Sequence, residues 1–131
     1  HINNGVYRCG FATRQAPYEK AYRALFAALD RCEERLREGG PWLLGETQTE
    51  ADWRLFTTLV RFDAVYYTHF KCNARRIAEY PALSAYLQRL LAVPGVRETV
   101  NLEHIKQHYF YSHETINPHR IVPLGPVTPL G

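Results

Sequence analysis

The sequence predicts an all-α domain. Apolar residues recur three and four apart in several separate stretches, which is the period of a half-buried helix. Those stretches start at capping residues or proline and stop at glycine or proline. No stretch alternates apolar and polar residues as a half-buried strand would, and no internal repeat is present.

Taken in order, residues 1–15 read as an irregular lead-in, with Asn3-Asn4-Gly5 as a turn signal. The first main helix is expected from Ala16 or Pro17 to Arg37. Its stripe is Tyr18, Tyr22, Leu25, Leu29, Cys32 and Leu36, widened by Phe26 and Ala28. Pro17 fits a first turn, where a missing N–H costs nothing, and Gly39-Gly40-Pro41 ends the run. Trp42 to Gly45 form a short apolar loop.

Thr49 is then an N-cap with Asp52 three residues on. The Thr49 hydroxyl is placed to accept from the Asp52 N–H, and the Asp52 carboxylate from the Thr49 N–H. The carboxylate also sits at the positive end of the helix dipole. The second helix is expected over 50–68, with Ala51, Leu55, Leu59, Phe62 and Tyr66 inward.

His69 to Asn73 break the period, and a short helix is expected over Ala74–Glu79. A third substantial helix starts at Pro81, buries Leu83, Tyr86, Leu87, Leu90 and Leu91, and stops at Pro94-Gly95. Residues 95–100 form one turn. Asn101 caps a last helix over about 102–112. The final eleven residues hold three prolines and two glycines, so this tail is irregular. The sum is four to five main helices plus a Pro-rich tail.

At 131 residues the chain is one domain with room for a core. Apolar content of 46% and aromatic content of 13% exclude a disordered chain. The net charge of +3 comes without a basic stripe, so a nucleic-acid binder is not expected. No apolar run is long enough to span a membrane. Three cysteines, odd in number and without a CxxC pair, suit a reducing, cytoplasmic setting. The absence of methionine and the opening His1-Ile2-Asn3-Asn4 lead us to expect a fragment of a longer protein.

Tyr7, Tyr66, Tyr67, Tyr109 and Tyr111 lie outside the first main helix. Phenols gathered in one pocket suit an aromatic ligand bearing oxygens, or stabilise a thiolate; scattered, they are core residues with satisfied hydroxyls. His104 and His108, four apart with His113 nearby, lack a further metal ligand, and no metal is expected. Cys9 is read as an inert thiol, Cys32 as core, and Cys72 as exposed and weakly reactive. No nucleophile elbow, phosphate loop or carboxylate pair is present. The residues alone therefore give a helical domain with a Tyr-rich face and no complete catalytic apparatus.

Particular strings say more. Thr49-Glu50-Ala51-Asp52 after a Gly45 loop resembles the N-capping segment of the glutathione transferase C-terminal domain, although Gln48 stands where the family has a hydrophobic staple residue. Asn3-Asn4-Gly5-Val6-Tyr7, Gly10-Phe11-Ala12, Arg61-Phe62-Asp63-Ala64-Val65-Tyr66 and His69-Phe70-Lys71-Cys72-Asn73 are similar to glutathionyl-hydroquinone reductases, the Xi class. So are His104-Ile105-Lys106-Gln107-His108-Tyr109 and Thr115-Ile116-Asn117-Pro118. The resemblance runs from Asn3 to Pro126.

It implies that residues 1–131 are a C-terminal helical domain whose thioredoxin-like, cysteine-bearing N-terminal partner is missing. It implies glutathione as cosubstrate, a glutathionyl-hydroquinone as aromatic substrate, and a homodimer. It also implies Tyr7 as proton donor or acceptor, with Tyr66 and Tyr109 binding substrate beside it and lowering the pKa of the absent cysteine. The competing expectation is a non-enzymatic helical module for protein association, which has no use for three hydroxyls facing one cleft.

Overall fold

The computed structural model describes residues 2–126, and every regular element among them is helical. The main helices are α1 (Ile2–Phe11), α2 (Gln15–Glu38), α3 (Glu50–Arg61), the single turn α4 (Tyr67–His69), α5 (Pro81–Leu91) and α6 (Leu102–Ser112). A π turn, Phe62–Tyr66, joins α3 to α4, and 3-10 turns cover Ile77–Glu79 and Arg97–Thr99. α1 packs on α2 and α3, α2 and α3 pack on α5, and α6 packs on the π turn. Leu29, Leu59, Phe62, Leu83, Tyr86 and Leu90 fill the centre.

The main expected helices stand close to their predicted bounds, the short helix expected over Ala74–Glu79 shrinks to the 3-10 turn Ile77–Glu79, and two larger corrections apply. The lead-in is not irregular: it is helix α1, which buries Gly5, Val6, Cys9 and Gly10. Gly5 is a helix residue and not a turn, and Gly10 is the position where the helix packs too closely for a side chain. A Cβ on Gly5 would lie 3.4 Å from the Leu25 side chain, and one on Gly10 would lie 2.0 Å from the Phe70 ring. The helix expected over 50–68 is also not continuous, since the π turn widens it after Arg61.

Three buried carboxylates tie these helices together by accepting backbone N–H groups that a helix start leaves unpaired. Asp52 is fully buried. Its Oδ2 accepts from Thr49 N at 2.8 Å, and its Oδ1 from Leu43 N at 3.0 Å and the Tyr86 hydroxyl at 2.7 Å. Thr49 and Asp52 face each other as the expected capping box. The Asp52 N–H is directed at the Thr49 carbonyl, 3.1 Å away, so the Thr49 hydroxyl lies close without a full bond. Gly45, at φ +112°, closes the Trp42–Gly45 loop that presents Leu43 N–H.

Asp63, on the π turn, accepts from Ile77 N at 2.6 Å and Ala78 N at 3.1 Å. Glu33, on α2, accepts from Ala82 N at 2.9 Å and Leu83 N at 2.8 Å, capping α5 behind Pro81. Asn101 caps α6 as expected, its Oδ1 accepting from His104 N at 3.1 Å.

Cys72 is buried, not exposed: Lys71, at φ 58°, turns the chain so that its own side chain faces out and Cys72 faces Cys9 inside. Cys32 is only half-buried. The tail follows α6, with Lys106 Nζ donating to the Pro123 carbonyl at 2.7 Å. The part of the expected irregular tail after Pro126 lies outside the described residues. No described helix is long and apolar enough to cross a membrane.

Candidate functional site

Three phenols converge on one point. The Tyr109 hydroxyl, on α6, lies 2.8 Å from that of Tyr7 on α1 and 2.9 Å from that of Tyr66 at the end of the π turn. Each is held there by packing. α1 is pinned by the close approach of Gly10 to Phe70 and by the Thr58 hydroxyl, which donates to Asn3 Oδ1. Tyr66 is fixed from behind by its own carbonyl, which accepts from Phe70 N at 3.2 Å and Cys72 N at 3.1 Å. Phe70, fully buried, stacks on Tyr66 at 5.3 Å and meets Tyr109 edge-on at 6.2 Å. It also lies tilted to Tyr7 at 5.2 Å, so one ring supports all three phenols.

The three are graded in exposure: Tyr66 is 3% exposed, Tyr109 9% and Tyr7 40%. Burial raises the pKa of Tyr7, and its bond to Tyr109 adds to this, while Tyr66 and the Arg61 guanidinium pull it down. Burial lifts Tyr66 far above the usual phenol range, again helped by Tyr109. The hydroxyls open on a cleft of about 270 Å³ shared with Asn3, Thr57, Thr58 and Arg61. Arg61 Nη1 is anchored to the Thr57 carbonyl at 2.8 Å. A half-exposed phenol backed by two buried ones, beside a cation, suits proton donation to an aromatic ligand whose charge develops at that point.

Thus the structure brings together Tyr7, Tyr66 and Tyr109, and leaves Tyr67 and Tyr111 outside the cluster. Arg61, Thr57 and Phe70 were not singled out. The signal for the first two was their i,i+4 spacing at the end of α3, next to the tyrosine. A separate, larger groove of about 820 Å³ runs past Ile2, Arg31, Arg35 and Leu55. It gathers none of the phenols. Among the described residues, no group of three or more His, Cys, Asp or Glu side chains is arranged to hold a metal, and His104 and His108 are exposed.

A histidine pair backs the cluster. His69 Nε2 lies 2.9 Å from His113 Nδ1, so one ring donates and the other accepts. The accepting ring is therefore neutral. Burial pushes the His69 pKa down to about 4, with the charge of His113 adding to it, and burial also lowers His113. For a histidine depressed in the folded state, stability is complete above the unfolded value near 6.5 and is lost as pH falls toward about 4. Buried Asp63, whose pKa burial raises, works in the opposite sense. The unfolding free energy from urea melts should therefore drop between pH 6.5 and 4.5 by about 1–2 kcal/mol more in the native chain than in His69→Gln. Equal pH dependence in the two would remove His69 as the source.

The model of the glutathione S-transferase C-terminal domain family matches residues 15–89. Glutathionyl-hydroquinone reductase PcpF of Sphingobium chlorophenolicum is 57% identical over 129 residues, a match covering 98% of this chain and 41% of that protein. Glutathionyl-hydroquinone reductase YqjG of Escherichia coli is 51% identical over 125 residues, 95% of this chain and 38% of that protein. The glutathione-bound structure of YqjG superposes with a TM-score of 0.95 at 50% identity, over 98% of this chain and 42% of that one. The Xi glutathione S-transferase of Phanerochaete chrysosporium gives a TM-score of 0.92 at 54% identity, over 96% and 40%. The chain spans about two fifths of the length of the curated relatives it matches. From its capped α3 to the helix packing that assembles the three phenols, the chain belongs to the glutathione S-transferase C-terminal domain family.

Proposed function

We propose that this chain forms the second-substrate half of a glutathione-dependent reductase that converts glutathionyl-hydroquinones to hydroquinones. In this reading it works beside a thioredoxin-like domain that binds glutathione and carries a nucleophilic cysteine. The observation that carries the proposal is the Tyr7–Tyr109–Tyr66 hydroxyl cluster on an aromatic cleft. It occurs in a chain that is 57% identical over 129 residues to a glutathionyl-hydroquinone reductase.

The cysteine thiolate attacks the glutathionyl sulfur, so an S–S bond forms and the aryl C–S bond breaks. The electron pair left on the ring carbon takes a proton from the Tyr7 hydroxyl, and hydroquinone departs. Tyr7 regains its proton from solvent. A second glutathione thiolate then attacks the mixed disulfide, releasing oxidised glutathione and restoring the cysteine. Tyr66 and Tyr109 supply hydrogen bonds to negative charge near that point, on the sulfur in the role the resemblance implies. The three thiols of this chain fit a reducing, cytoplasmic compartment, and a homodimer through the helical domain is part of the same reading.

A purely associative module would leave the hydroxyl cluster idle, which disfavours that alternative. In the two-domain protein, Tyr7→Phe should lower turnover of a glutathionyl-hydroquinone by roughly 10²-fold, the usual scale of a lost general acid. The circular dichroism spectrum should stay unchanged. An unaltered rate and pH profile would defeat the proposal.

A further inference from the structure

We propose that Arg61 is a specificity-determining residue of the cleft, and that the aromatic ring taken there carries an oxyanion, a carboxylate or an ionised hydroxyl, which the guanidinium binds. The inference rests on the aromatic-substrate reading above and adds to it the charge of the ring.

Arg61 is the last residue of α3. A cation at a helix C-terminus needs no ligand to explain it, because the dipole favours it there. That account uses one N–H, which Nη1 gives to the Thr57 carbonyl at 2.8 Å. A guanidinium has further N–H donors in its planar fork, and these remain unspent. Among the described residues Arg61 forms no ion pair. Arg31 and Arg35 form none either, but they are exposed and hydrated, whereas Arg61 is half-buried.

The rest of the cleft wall offers that cation nothing negative. None of the residues that line it is acidic. Its amide and hydroxyls are already engaged within the protein. Asn3 Nδ2 donates to the Arg54 carbonyl at 3.2 Å, and Asn3 Oδ1 accepts from Thr58. The Thr57 hydroxyl donates to the same Arg54 carbonyl at 2.9 Å. The phenol hydroxyls bond to one another. A ligand therefore meets a phenol wall with one uncompensated positive charge beside Tyr7, whose ionisation that charge already favours.

Withdrawing a cation from water costs solvation, and a negative group is what returns it. A ring bearing an oxyanion brings that group to the unspent N–H donors; a neutral ring does not. The fork also matches a carboxylate edge with paired N–H donors, which fixes the orientation of the ring as well as its charge.

The test reads binding and not turnover. A failure here leaves the proton-donor role of Tyr7 standing, and a failure of that role leaves this result interpretable. Free hydroquinones are titrated calorimetrically into the two-domain protein. Gentisate, a hydroquinone bearing a carboxylate, should bind roughly ten-fold more tightly than methylhydroquinone, the scale of one hydrogen bond to a charged group. In Arg61→Gln that ratio should fall to about one, and in Arg61→Lys, which keeps a point charge without the fork, it should recover in part. The glutathionyl group brings carboxylates of its own, so glutathione is titrated alongside, and Arg61→Gln should weaken gentisate more than glutathione. The proposal is overturned if gentisate has no advantage in the unaltered protein, or if its advantage survives Arg61→Gln. It is also overturned if Arg61→Lys recovers nothing, or if glutathione weakens as much as gentisate, which would give the guanidinium to the peptide. The comparison in the unaltered protein decides the matter even if Arg61→Gln does not fold.

Discussion

Replacing Asp52 with alanine should cost about 4 kcal/mol of folding stability, a large share of the roughly 5–15 kcal/mol that a domain holds in reserve. The carboxylate is fully buried and receives three donors: Thr49 N, Leu43 N and the Tyr86 hydroxyl. They come from the α3 cap, the Trp42–Gly45 loop and α5. Alanine leaves all three facing an apolar gap, at about 1–3 kcal/mol for each buried group that loses its partner. Water reaching the half-buried Thr49 and Leu43 amides returns part of that. Asp52→Asn should fall between the two, since the amide has one acceptor oxygen and turns an N–H₂ toward N–H donors. Urea unfolding followed by circular dichroism measures both. A loss below about 1 kcal/mol for Asp52→Ala would show that the three bonds are replaceable.

The second large effect is at Gly10. Alanine is the better helix former by about 1 kcal/mol, so propensity alone predicts a gain. The structure predicts a loss of about 3 kcal/mol, because overpacking outweighs propensity here. A Cβ at this position would lie 2.0 Å from Phe70 Cδ1 and 2.3 Å from Cγ, and Phe70 is fully buried with no room to retreat. Something must move, and what moves is the ring that supports Tyr7, Tyr66 and Tyr109. Gly10→Ala should therefore both destabilise the chain and disturb the tyrosine fluorescence of the cleft. Gly5→Ala, with its nearest contact at 3.4 Å, should be close to neutral. Equal behaviour of the two variants would refute the packing explanation.

These two residues also mark what the sequence made legible. α2, α5 and α6 were readable because their signals are local: an apolar stripe, a cap, a proline. So was the start of α3, where Thr49 and Asp52 are neighbours. α1 was not readable, because Asn3-Asn4-Gly5 has turn composition, and its glycines answer to Leu25 and Phe70, far along the chain. The π turn was hidden for the same reason, since Asp63 on it finds its partners at Ile77 and Ala78. Cys72 was misplaced because its exposure depends on the left-handed backbone of Lys71. The site was visible as a set of tyrosines through resemblance. That Tyr109 stands between the other two is a fact of packing that no spacing encodes.

Glu33 has a consequence for the order of events in folding. α5 carries no cap of its own, since Tyr80 provides no side-chain bond and Pro81 no N–H. Its first two free amides are served by a carboxylate 49 and 50 residues earlier in the chain. Eleven residues are too few to persist as a helix in water. α5 is therefore expected to condense with or after α2 and not as an early local nucleus, an order that φ-values at Glu33 and in α5 would read. The expected slow step is then the closure of a long loop and not the winding of any one helix.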